Sequence, residues 1–134
     1  MRSNKSASRP TRCIKFPSLF FQIVRVDSGQ RVGEINLRLE SNLHIERYAG
    51  HVGFNIDAAY RGHHYAARAV RLLMPLAPEH GLNPLWLTCN PENLASRRSC
   101  ELAGARFLEI VDVPESCIIY RSGHPKKCRY RLNI

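Results

Sequence analysis

The 134-residue chain contains no apolar run approaching the roughly 18–20 residues that cross a bilayer, which excludes a helical membrane span. It has no Cys-x-x-Cys pair, and its five cysteines, Cys13, Cys89, Cys100, Cys117 and Cys128, are odd in number and widely spaced. A zinc site wants close ligand pairs, and a disulfide framework wants a secreted chain. Free thiols in a reducing cytoplasm are the better account, and no metal is expected. Residues Met1 to Arg12 lack the apolar core of a secretory signal. Basic and rich in serine, they read as part of a disordered arm over 1–18, ahead of one domain over 19–134. Acidic residues are scarce, 11 against 20 Lys and Arg, which leaves a net charge of +9. Such an excess draws anionic ligands, nucleic acid or a ribosome surface. Much of it lies at the two ends, however, where solvated tails explain it. No aromatic stacking pattern or recognisable motif accompanies the charge, so a nucleic-acid partner is not expected.

The chain does carry enough apolar residues, 44%, to bury one core. Phe20 to Val26 is rich in aromatic and β-branched residues and reads as a strand. Asp27-Ser28-Gly29-Gln30 supplies turn chemistry, and Arg31 to Glu40 alternates through Val32, Ile35, Leu37 and Leu39, completing a hairpin. His51 to Asp57 gives a third strand, and short connections make the three an antiparallel meander. From Tyr65 the period changes from two to about 3.6. Ala66, Ala69, Val70, Leu73, Leu76 and Ala77 share a face of a helix expected to reach Glu79, with a break at Pro75 and a stop at Gly81. Pro84 to Cys89 is nearly all apolar, as in a strand buried on both faces. Leu94 to Ala103 reads as a second helix ended by Gly104. Ala105 to Val113 is a strand, and either Ile118-Ile119-Tyr120 or Arg129 to Ile134 supplies the last. Together these describe an α+β domain with a mixed, mostly antiparallel β-sheet flanked by helices.

The turn between the third strand and the first helix carries the chemistry. Arg61-Gly62-His63-His64-Tyr65-Ala66 opens directly into that helix, whose first N–H groups lack intrahelical partners and sit at the positive end of the helix dipole. Gly62 lets the backbone approach a ligand closely. Arg61 can present a planar fork to phosphate, and His63 and His64 can donate hydrogen bonds. The arrangement suits an anion.

With Leu85-Trp86-Leu87, Asn90-Pro91-Glu92-Asn93-Leu94-Ala95-Ser96-Arg97-Arg98 and Glu101-Leu102-Ala103-Gly104-Ala105 at their separations, the chain resembles the GNAT superfamily of acetyl-CoA-dependent N-acetyltransferases. It looks closest to the branch that holds ribosomal-protein N-terminal alanine acetyltransferases, with the match running over about residues 20–113. The resemblance implies a loop of pattern Gln or Arg, two residues, Gly, one residue, Gly or Ala around the pyrophosphate of coenzyme A. Arg61 and Ala66 match its ends, while His64 stands where the family has Gly, at a position that calls for φ > 0. The strand residues Phe54, Asn55 and Ile56 are implied to face the pantetheine arm, and Asn93 and Ser96 to touch the cofactor. Asn93 also reads as the N-cap of its helix.

The implied reaction is acetyl transfer from acetyl-CoA to an amine acceptor, either a small molecule or a protein N-terminus. A base takes a proton from the ammonium and an acid protonates the thiolate. Many relatives place a Tyr as that acid where Cys100 stands here. Glu34, Glu46 and His51 are candidates for the base, and spacing favours none of them. The family also has a strand and two helices before the hairpin, forming much of the acceptor wall, which an 18-residue arm does not supply. Either the acceptor site is open, or a second copy closes it in a homodimer, or the chain is a degenerate acyl-CoA-binding module.

Overall fold

The computed structural model describes residues 16–134. Most of the expected arm, and Cys13, lie outside the described residues. Strand β1 (Ser18–Val24) already includes the last arm position and pairs antiparallel with β2 (Arg31–Arg38), which pairs antiparallel with β3 (Val52–Ile56). Of the residues predicted to alternate in β2, Ile35 and Leu37 share the core face, while Val32 is buried out of phase with them. A π-helical turn, Ile45–Ala49, joins β2 to β3. A 3-10 turn, Ala58–Tyr60, then leads to α1 (Tyr65–Leu73).

Helix α1 buries Ala66, Ala67, Ala69, Val70 and Leu73 against the first sheet. It stops before Pro75, which has no N–H to give to Arg71, and a short α2 (Leu76–Glu79) resumes the turn. The periodic face expected to reach Glu79 is therefore two helices. Strand β4 (Leu85–Cys89), α3 (Leu94–Leu102), β5 (Arg106–Asp112), α4 (Ile118–Arg121) and β6 (Lys126–Leu132) complete the chain. Of the two candidates for the last strand, Ile118-Ile119-Tyr120 is helical. The other pairs on both sides, giving the order β4-β6-β5.

The α+β class is as expected, but the strands form two three-stranded antiparallel sheets. Between β3 and β4 the contact is a single crossing. The His51 N–H donates to the Trp86 carbonyl at 2.7 Å, and the Trp86 N–H donates to Nδ1 of the buried His51 ring at 2.9 Å. The side chain takes the place of a backbone acceptor, so the ladder stops after one rung. Gly50 permits the crossing: its φ is 77°, and a Cβ there would lie 3.1 Å from both Thr88 N and Trp86 O. Beyond that point β3 and β4 separate, and a continuous core of Leu37, Val70, Leu85, Leu87, Cys100 and Tyr130 fills the space below.

Candidate active site

A cleft of about 430 Å³ lies between β3, the start of α1 and the start of α3. Every residue expected to hold the cofactor lines it except His63: Phe54, Asn55, Ile56, Arg61, Gly62, His64, Tyr65, Ala66, Asn93 and Ser96. His63 is exposed and instead tilts against the Tyr65 ring, with centroids 5.6 Å apart.

The loop is built to leave amides free. His64 is the N-cap of α1 and makes no side-chain cap bond, and the first helical bond runs from Arg68 N–H to the His64 carbonyl at 3.1 Å. Among the described residues the N–H groups of Tyr65, Ala66 and Ala67 therefore have no acceptor. Two residues in the left-handed region aim them. Gly62 has φ 90° and open space where a Cβ would be, and His64 has φ 63° and ψ 25°. A histidine thus holds a conformation that glycine adopts most readily, at a strain on the order of 1 kcal/mol.

Arg61 differs from a free fork. Its Nε–H donates to the Ile56 carbonyl at 2.9 Å, folding the guanidinium back on the end of β3 and leaving the terminal nitrogens for an anion. Asn93 is the N-cap of α3, its Oδ1 accepting the Ser96 N–H at 3.1 Å. Its carbonyl is thereby occupied, and its amide N–H₂ remains. Because β3 pairs with β2 alone, its other edge presents unpaired backbone groups to the cleft.

Tyr60, Ala95, Arg98 and Ser99 also line the cleft and were not singled out. Helical spacing carried that signal: Ser99 lies one turn beyond Ser96, and Arg98 one turn beyond Ala95. Arg98 is exposed and only 3.9 Å from Glu101, so it adds a second cation.

The candidates for proton transfer lie elsewhere. Cys100 is on the buried face of α3, and its hydrogen bond with Cys89 together with burial pushes its thiol well above the ordinary range. His51 is sealed at the sheet crossing, where burial lowers its pKa. Glu34 is paired with Arg31 at 2.9 Å, and Glu46 accepts from Ser41 at 2.7 Å. None of the four lines the cleft. A larger hollow, about 590 Å³, lies on the other flank of α1 against β1, with a mainly apolar wall including Phe21, Ile23 and Leu72. Ala66, Ala67 and the Arg61–His64 loop do not line it. Among the described residues no group of three His, Cys, Asp or Glu is placed to hold a metal ion, and no helix is long and apolar enough to cross a membrane.

Residues 6–106 match the family model described as the acetyltransferase (GNAT) domain. No curated protein sequence matches the chain. Among solved structures, an acetyltransferase of the GNAT family from Bacillus anthracis superposes with a TM-score of 0.64 at 20% identity, over 85% of this chain and 65% of that one. The ribosomal-protein-S5-alanine acetyltransferase from Vibrio fischeri gives 0.66 at 16% identity, over 87% and 61%. The Microcin C7 self immunity acetyltransferase MccE, solved in complex with acetyl-CoA and AMP, gives 0.62 at 12% identity, over 87% and 61%. At such identities the likeness is one of fold, and the chain spans less than two thirds of the length of these structures.

Proposed function

The chain belongs to the acetyltransferase (GNAT) domain family, and from that premise we propose that it is an N-acetyltransferase. In this reading acetyl-CoA is the cosubstrate, and a primary amine on a small molecule or a protein N-terminus receives the acetyl group. The observation that carries the reading is the set of unpartnered amides at the start of α1, facing a cleft with two arginines on its rim. Their chemistry fits a pyrophosphate: Tyr65, Ala66 and Ala67 supply oriented donors, and Arg61 and Arg98 supply charge. The free edge of β3 at Phe54, Asn55 and Ile56 suits the amides of a pantetheine arm. Asn93 and Ser96 close the opposite wall.

When bound, acetyl-CoA supplies an acyl group activated as a thioester. The protein's part is to hold the thioester at the fork of the sheets and to keep the incoming amine neutral. Four of the five cysteines are described and free, two of them (Cys89 and Cys100) deeply buried beside each other, in keeping with a reducing cytoplasm.

A second reading, an acyl-CoA-binding module without efficient turnover, is favoured by one specific observation. No carboxylate lines the cleft, and Cys100 is buried below it. Acetyl-CoA is expected to raise the melting temperature, because a ligand that binds only the native state stabilises it by mass action. No shift at millimolar acetyl-CoA would overturn both readings. Release of CoA thiol on adding amines or peptide N-termini supports the transferase, whereas binding without release across a broad panel supports the module.

A further inference from the structure

The second sheet has a face turned away from α3 that the acetyl-transfer reading does not use. Leu85, Leu87, Cys128, Tyr130 and Leu132 point into the core, so Trp86, Arg131 and Arg106 share the opposite face. The register puts them side by side across three strands: Trp86 opposes Arg131, and Arg131 opposes Arg106. Like charges placed directly opposite on neighbouring strands destabilise a sheet. Here neither arginine has an acidic partner among the described residues. Both are exposed, and Arg131 bonds only Asn133, at 3.0 Å. Two rungs along, Arg129 is neutralised by Glu109 at 2.6 Å, whereas the Arg106–Arg131 rung sets two cations side by side with no such carboxylate.

Aromatic rings interleave with these cations. The Arg129 guanidinium lies 4.4 Å and the Arg131 guanidinium 5.8 Å from the Trp86 ring centroid. Along the same face the π-helical turn is held down by Thr88 Oγ1, which donates to the Tyr48 carbonyl at 2.9 Å, and by Arg129 Nε, which donates to the Glu46 carbonyl at 3.1 Å. That turn sets His44 between Phe16 and Tyr48, with ring centroids 6.0 and 6.1 Å away, and Arg47 lies 5.9 Å from the Tyr48 ring. All four aromatic residues are partly exposed.

We infer that this face binds single-stranded nucleic acid, with Arg106 and Arg131 taking backbone phosphates and Trp86 with the Phe16–His44–Tyr48 row offering flat surfaces to bases. Guanidiniums unpaired by carboxylates and alternating with rings are the combination that single strands require, and a net charge of +9 favours the encounter. An acidic peptide would use the charge but leave the rings unused. The pattern was hidden in the sequence because its four aromatic residues come from three separate segments.

The chain has one tryptophan, so its fluorescence reports this face directly. The full chain is titrated with a twelve-nucleotide oligouridylate at increasing salt, beside a glutamate peptide of equal charge. Quenching of Trp86 by the oligonucleotide is expected, with affinity falling as salt rises. The double variant Arg106→Ala/Arg131→Ala, its fold checked by circular dichroism, should bind about tenfold or more weakly. Its slope of log affinity against log salt should be smaller by about 1.4, at roughly 0.7 per lost phosphate contact. The charge-matched control Arg71→Ala/Arg121→Ala should keep the slope nearer the parent's. Absence of quenching, equal loss in both double variants, or equal binding of the glutamate peptide would each overturn the inference.

Discussion

Trp86 and His51 hold each other twice, backbone N–H to ring Nδ1 at 2.9 Å and backbone N–H to backbone carbonyl at 2.7 Å. This pair is where the two sheets meet. His51 must be neutral to accept from Trp86, and burial, the leading cause, holds its pKa below 6.5, with Arg38 adding to the effect against an opposing pull from Glu46. His44 is lowered as well, by burial and by Arg38. Since the folded state then binds fewer protons than the unfolded chain, the stability these histidines provide is complete above about pH 6.5 and declines as pH falls toward their depressed values. Melting temperature is therefore expected to fall from pH 7 to pH 5. His51→Asn, which keeps an acceptor near the Nδ1 position and does not titrate, should show a shallower fall, and an unchanged slope would remove His51 as the cause. His51→Ala, which leaves the Trp86 N–H unpaired, should cost about 1–3 kcal/mol at pH 7.5 by chemical denaturation.

Arg61→Glu places negative charge at the rim of the cleft and removes the bond to Ile56. Coenzyme A affinity should drop by tenfold or more, in line with about 1.5–3 kcal/mol for a hydrogen bond to a charged group. Calorimetry on a folded variant measures it. Unchanged affinity would show that the pyrophosphate is held elsewhere.

His64 tests the loop's strain. With φ at 63°, replacement by Gly should leave stability within about 1 kcal/mol of the parent, because relief of strain is offset by the freedom glycine adds to the unfolded chain. His64→Val, β-branched in the same conformation, should lose at least about 1 kcal/mol and loosen the amides of α1. A valine variant as stable as the parent, with unchanged ligand affinity, would show that the loop does not depend on this backbone geometry.

Asn93 has a capping role that can be separated from ligand contact. Asn93→Asp keeps an oxygen for the Ser96 N–H, whereas Asn93→Ala removes it at a cost of about 0.5–2 kcal/mol. If the amide N–H₂ also meets the cofactor, the Asp variant should be stable yet bind coenzyme A more weakly. Equal affinity of parent and Asp variant would confine Asn93 to the cap.

The thiols give a direct measure of burial. Cys89, Cys100 and Cys128 are all buried, and Cys117 is half-buried beside His44 at 3.9 Å. A disulfide reagent added to the native protein should modify Cys117 and leave the buried three unreacted until denaturant is added. Rapid native labelling of Cys100, located by peptide mapping, would restore it as a candidate acid.

The sequence alone determined the local features, because each is written in neighbouring residues. Apolar alternation placed β2, a 3.6-residue period placed α1, Pro75 cut that helix, and Asn93 capped α3. The loop from Arg61 to Ala66 was legible for the same reason, since a glycine turn running into a helix start declares its free amides. Tertiary structure decided what depends on elements distant in the chain. His51 satisfies Trp86 from 35 positions away, at the place where the expected single sheet divides into two. Burial on the core face of α3 turned Cys100 from a candidate acid into packing. The unpaired rung of Arg106 and Arg131 arose only when β6 inserted between β4 and β5, since a strand register brings charges together that the sequence keeps apart.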